Sequence, residues 1–130
     1  MEIKNYGLSK EERISSKIEI DSLFTKGTSF ISYPLRIVHI ERQNNDETIE
    51  SPVSIMVSVS KKKFKRAVKR NHLKRLIKES YRLNKAALTK KMGEQSKSLL
   101  IAFIYLPNTE KKYLEIESAM QKALGILASK

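Results

Sequence analysis

The sequence predicts a small single-domain α+β protein, one sheet with helices packed on it, and three stretches carry that expectation. VSIMVSVS alternates Val53, Ile55, Val57 and Val59 with Ser54, Met56, Ser58 and Ser60, the period of two of a strand with unlike faces. LLIAFIYL, from Leu99 to Leu106, is a continuous apolar run, as a central strand covered on both faces requires. KRAVKRNHLKRLIKESYR, from Lys65 to Arg82, has the apolar spacing of a helix and is heavily cationic.

Taken in order, residues 1–14 are expected to form a flexible tail. Ser16 and Glu19 then have the spacing of a capping box, with Ser9 and Glu12 as a rival start. The helix they open, IEIDSLFTK, is expected to bury Ile18, Ile20, Leu23 and Phe24 and to stop at Gly27 in the left-handed C′ position. Thr28 to Ser32 reads as a short strand and Leu35 to Glu41 as a longer one. Gln43 to Ser51 is polar and reads as a loop, after which Pro52 precedes VSIMVSVS. The Ser face of that strand is expected to meet solvent, the commoner outcome, or to lie under a ligand.

The basic helix is predicted over Arg66 to Ala87, followed by a polar stretch from Thr89 to Lys97 that contains Gly93. Pro107 ends the apolar strand. Asn108 or Thr109 is expected to cap a last helix burying Leu114, Ile116, Met120, Ala123, Leu124 and Leu127. The order is helix, two or three strands, helix, strand, helix.

Composition narrows the function. A chain of 130 residues suits one domain, and 40% hydrophobic content is enough for a core. With no Cys there are no disulfides, thiolate metal sites or Cys nucleophiles, and two scattered histidines, His39 and His72, do not make a zinc site. The longest apolar run is eight residues, far short of a bilayer span. The N-terminal MEIKNYGLSKEER has no apolar core of the signal-peptide kind, so a cytoplasmic protein is expected, with no membrane partner.

The formal charge is +12, and it is concentrated. Residues 61–85 hold twelve of the 26 basic residues and one of the 14 acidic ones, a local net of +11, leaving +1 for the rest. A nearly neutral domain with one cationic element points to a polyanion, nucleic acid above all. On a helical wheel Leu73, Leu76, Ile77, Tyr81 and Leu83 form an apolar stripe. Arg70, Lys74, Lys78 and Arg82 are successive i,i+4 neighbours on a cationic stripe about 140° around from it, with Asn71 among them. Each like-charge pair costs an isolated helix about 0.2–0.5 kcal/mol, and a solvated face would mix signs. Phosphates reverse that sign by releasing condensed counterions. There is no G-x-x-G loop, no aromatic RNP1 pattern, no Gly-rich phosphate cradle and no catalytic constellation. DNA is not expected as partner, because i,i+4 Lys and Arg offer little variety for reading bases.

The residues also resemble a known family. Ser58-Val59-Ser60-Lys61-Lys62, then Ala67-Val68, Arg70-Asn71, Lys74-Arg75 and Lys78, match without gaps the S-V-S/P-K-K and A-V-x-R-N-x-x-K-R-x-x-R/K signature of bacterial ribonuclease P protein subunits. Arg13, the segment from Glu19 to Gly27, LLIAFIYLP and the final amphipathic helix resemble the family at lower specificity. The resemblance implies an αβββαβα fold with one mostly antiparallel four-stranded sheet. It implies two RNA partners, the catalytic ribonuclease P RNA and precursor tRNA, in the removal of the tRNA 5′ leader. The RNA subunit would use Mg²⁺ for hydrolysis, with no metal tightly bound by the protein and no catalytic side chain on it.

The RNA-binding residues so implied are Lys61, Lys62, Lys63, Lys65, Arg66, Lys69, Arg70, Asn71, Lys74, Arg75, Lys78 and Arg82. A leader cleft between the first helix, the sheet and the basic helix is expected to use Phe24, Leu35, Val57 and Val59, with Lys26, Arg36 and Lys61 at its rim. Two positions depart from the pattern. His72 stands where the family most often has Arg, and Ile20 where an aromatic is common. A ribosomal-protein-like RNA binder without a ribozyme partner is the alternative reading.

Overall fold

The computed structural model describes residues 17–42, 53–95 and 97–129. The expected tail, the Ser16 cap and the Gln43–Ser51 loop lie outside them. The elements run α1 (Lys17–Lys26), β1 (Thr28–Ser32), β2 (Leu35–Arg42), β3 (Val53–Ser58), α2 (Ala67–Asn84), α3 (Ala86–Glu94), β4 (Ser98–Tyr105) and α4 (Tyr113–Ala128). The four strands lie in the order β1-β2-β4-β3, with β1/β2 and β2/β4 antiparallel and β3/β4 parallel. The apolar run therefore does become an inner strand: every β4 residue is buried except half-buried Ile104.

Alternation along the strands sorts the core into two unequal layers. One face carries Leu35 and Ile37 of β2, Val53 and Ile55 of β3, and Leu99, Ile101, Phe103 and Tyr105 of β4. Leu73, Ile77 and Tyr81 of α2, Leu88 and Met92 of α3, and Ile116, Met120, Ala123, Leu124 and Leu127 of α4 close over it. The other face carries Val38, Leu100 and Ala102, and among the described residues only α1 covers it, through fully buried Leu23 with Ile20 beside it.

α1 does less packing than its apolar spacing predicts. Leu23 is its one buried side chain among the described residues, whereas Ile18 is 81% and Phe24 48% exposed. Gly27 ends the helix for a reason other than a left-handed turn, since no described glycine has positive φ. A Cβ there would sit 2.3 Å from the Leu23 carbonyl oxygen and 3.0 Å from Val38 Cγ1. The glycine lets α1 turn into β1 directly against β2.

The basic helix stops at Asn84, and the supposedly polar stretch after it forms α3. Leu88 and Met92, one turn apart, are both buried against the α4 side, which outweighs the polar composition around them. The last helix starts at Tyr113 with Lys112 as N-cap and no side-chain cap, so neither Asn108 nor Thr109 caps it. Leu114 is 75% exposed, one position off the buried line of Ile116, Ala119, Met120 and Ala123. On β3 the Ser face is not uniformly wet: Ser54 is buried, while Met56 and Ser58 are half-buried.

Glycine positions test this packing. Gly27→Ala should lose about 1–3 kcal/mol by overpacking against Leu23 and Val38. Gly125→Ala, mid-α4 with nothing within 4 Å of the added Cβ, should gain up to about 1 kcal/mol. Urea denaturation of the two variants beside the parent checks both signs.

Candidate nucleic-acid interface

Between β3 and α2 the chain makes a tight turn. The Phe64 N–H donates to the Ser60 carbonyl (3.0 Å), and the Lys62 N–H to Ser60 Oγ (3.1 Å). Val59 and Phe64, each 6% exposed, are the two anchors, and Phe64 lies against the Tyr105 ring at 5.9 Å. Lys61, Lys62 and Lys63 are pushed outward between them. Lys63 is then drawn across to donate to the Leu106 carbonyl.

α2 opens at Arg66, whose backbone is extended and whose side chain makes no cap bond, and no acid stands in the first turn. Its buried line is Leu73, Ile77, Ser80 and Tyr81. Leu76 is only half-buried and Leu83 is 55% exposed, so the apolar stripe is narrower than the wheel gives.

The cations are not one stripe. Arg70 lies three and seven residues before Leu73 and Ile77, on the core-facing line, and is half-buried. Its guanidinium reaches back, Nη1 donating to the Phe64 carbonyl (2.8 Å) and the Lys65 carbonyl (2.9 Å). Arg70 thus braces the turn, a role that the spacing to Leu73 and Ile77 signals and the wheel obscured. Arg82 is half-buried and ion-paired with Glu79 three residues earlier. Lys69 reaches Glu110 across the β4–α4 loop at 3.6 Å. Lys61, Lys62, Lys65, Arg66, Arg75 and Lys78 are exposed and have no acidic partner among the described residues. Lys74 is half-buried. Asn71 and His72 are both exposed, so His72 stays on the accessible side of the helix.

The expected cleft residues divide by strand parity. Leu35 (0% exposed), Val57 and Val59 belong to the layer under α2 and α4, so they drop out of any surface beside α1. The reason is the period of two: the apolar members of VSIMVSVS are the ones turned to the larger core. What remains open is the row Ile31–Arg36–Ile104–Ser58 across all four strands. Ile31 is 65% exposed, Arg36 is exposed with Nη2 near Ser29 Oγ (3.4 Å), and Ile104 and Ser58 are half-buried. Half-exposed Phe24 stands on α1 beside its anchor Leu23. Lys26 is elsewhere, at a cavity of about 370 Å³ with Thr28, His39, Leu99 and Leu127. Ile31 and Ile104 were missed because isolated apolar residues do not announce a shared surface until the register is known; Ser58 belongs to the serine face that the alternation had marked as one that could lie under a ligand.

The loop after β4 is fixed by a buried phenol. The Tyr105 hydroxyl donates to the Thr109 carbonyl (2.7 Å) and accepts the Lys111 N–H (2.8 Å). Burial pushes this phenol above its ordinary value; the Lys111 bond opposes the shift, and Tyr33, Glu110 and Glu115 add to it. Among the described residues no group of three or more His, Cys, Asp or Glu could hold a metal ion, and no helix is long and apolar enough to cross a membrane.

A mixed four-stranded sheet, half-covered on one face and flanked by an uncapped cationic helix, defines a small α+β protein with a face suited to nucleic acid. The family profile described as Ribonuclease P matches residues 8–128, so the chain belongs to the ribonuclease P protein family, whose members are protein subunits of a tRNA-processing endoribonuclease. It is 42% identical over 119 residues to the ribonuclease P protein component of Porphyromonas gingivalis, covering 92% of this chain and 85% of that one. It is 33% identical over 117 residues to that of Clostridium novyi, covering 90% and 94%. Among solved structures it resembles the RNase P protein of Staphylococcus aureus, with TM-score 0.69, 22% identity and coverage of 88% and 94%. The Thermotoga maritima protein gives TM-score 0.61, 20% identity and coverage of 92% and 97%; both likenesses bear on the fold. A place in a ribonucleoprotein implies an RNA partner.

Two measurements follow from the geometry. Arg75→Ala should leave stability within about 0.5 kcal/mol and lower the salt slope of RNA binding by about one. Arg70→Ala should also cost about 1–3 kcal/mol of stability in denaturant, because two turn carbonyls lose a charged donor. For Tyr105 the raised folded-state value means stability is full below the unfolded phenol's 10.0 and falls as pH rises beyond it. Tyr105→Phe should reduce that alkaline loss; Tyr113, raised by burial and Glu117, contributes in the same direction and keeps the remainder.

Proposed function

We propose that the chain binds the catalytic ribonuclease P RNA through the Lys61–Lys65 turn and α2, and receives the single-stranded 5′ leader of precursor tRNA on the open sheet row beside α1. The observation that carries this is the set of six exposed cations with no acidic partner among the described residues, on one turn and one helix, together with the row of Ile31, Arg36, Ile104 and Ser58 that α1 leaves partly open. Phosphate contacts position an RNA without reading it, and Arg75 can hold phosphate oxygens in bidentate fashion. Asn71, among the cations, is placed to donate to a phosphate or a 2′-hydroxyl.

The open row suits an unpaired strand. Ile31, Ile104 and the Phe24 ring offer apolar ground for bases, and Arg36 a charge for the backbone. Together these groups would hold the leader and raise substrate affinity while the catalytic RNA, using Mg²⁺, cleaves the phosphodiester. In this reading the protein's part is binding and orientation. The reaction belongs in the cytoplasm, where precursor tRNA is made.

The test mixes the purified protein with a bacterial ribonuclease P RNA and a precursor tRNA at low Mg²⁺. Cleavage at the mature 5′ end should be stimulated well above that of the RNA alone. No stimulation, with the RNA active alone at high Mg²⁺, would sink the assignment and favour a ribosomal-protein-like role. Arg36→Ala should weaken binding of precursor tRNA with a leader more than of leaderless tRNA.

A further inference from the structure

A groove of about 430 Å³ separates the start of α2 from the loop that follows β4. Lys63, Lys65, Arg66 and Lys69 line one side, and Thr109 and Glu110 the other. Glu110 is the one acid in this lining, and its carboxylate stands 3.6 Å from Lys69 Nζ. Its presence is not an accident of a swinging loop tip. The Tyr105 hydroxyl, on a residue 2% exposed, holds Thr109 and Lys111 on either side of it. Lys63 ties the same loop at Leu106. The fold thus fixes a carboxylate against a face that has no other acid from Lys61 to Lys78.

The pair is weak. Its side chains are 53% and 43% exposed, and a half-exposed pair at this separation binds little more strongly than its screened charges allow. A phosphate arriving on a polyanion brings the same charge together with counterion release, which the carboxylate lacks.

We propose that this groove seats one phosphate group of the bound RNA, and that Glu110 is its built-in counter-anion, holding Lys69 in the free protein and displaced when the phosphate enters. The inference rests on α2 as the RNA face and extends that face to the β4–α4 loop. Glu110 lowers affinity for every polyanion that meets Lys69. An RNA that seats other phosphates at the same time still binds against this penalty, whereas an isolated anion, with nothing else to hold it, is largely kept out.

The test is a double-mutant cycle on Glu110→Gln and Lys69→Ala with two probes: a bacterial ribonuclease P RNA, titrated over a range of salt, and inorganic pyrophosphate, read by its shift of Tm. Glu110→Gln should tighten RNA binding about two- to fivefold, and the gain should vanish in the Lys69→Ala background. Glu94→Gln, exposed at the end of α3, should give a smaller gain. Equal gains at Glu94 and Glu110, or a gain that survives without Lys69, would show an effect of net charge alone and overturn the proposal. Failure of the RNA to bind, with the cycle intact for pyrophosphate, would remove the ribozyme partner and leave the groove standing. RNA binding without coupling for either probe would remove the groove and leave the partner.

Discussion

Unequal cover over the two faces of one sheet shapes everything else in this protein. Three helices, α2, α3 and α4, bury most of one face, while ten-residue α1 is all that lies on the other among the described residues. A helix of that length is about 15 Å long and about 10 Å wide, whereas the eight-residue strands β2 and β4 run about 26 Å, so one such helix cannot cover the whole face. It settles over β2 and β4 through Leu23, and the row from Ile31 to Ser58 is left to solvent. The same asymmetry makes α2 a core helix with an outer side, so its cations are held on a rigid support.

That support has a local cost, which the structure meets within a few residues. The chain must leave β3, turn, and start a helix without a capping side chain or an acid in the first turn. Arg70 supplies the missing tie by donating to two turn carbonyls, and Phe64 supplies the apolar anchor against Tyr105. A residue that the family signature groups with the RNA contacts is therefore half structural. The cations available to a phosphate are those farther round the helix and on the turn.

The elements legible in the sequence were those whose pattern is strictly local. The period of two in β3, the unbroken apolar run of β4 and the amphipathic spacing of α2 each appear where they were read, with ends moved by a few residues. α3 was hidden because its two buried residues are split, Leu88 just before the polar stretch and Met92 within it, and the site was legible as a charge cluster and not as a surface. Leu35, Val57 and Val59 were placed in the cleft for being apolar and near the basic turn, yet parity turns them to the opposite face. Proximity along the chain says nothing about which side of a sheet a residue takes.

By itself, the sequence determined the fold class, the helix that would carry the charge, the lack of Cys chemistry and, through an ungapped signature around Arg70-Asn71, the family. These depend on residue type and short spacing, which a chain carries whether folded or not. Tertiary structure decided which cations face outward, which acids they meet and which apolar residues stay exposed. Those outcomes depend on strand register and on contacts between residues far apart, such as Lys69 with Glu110 and Lys63 with Leu106. No local pattern encodes a pair forty residues apart; only the packed sheet brings it together.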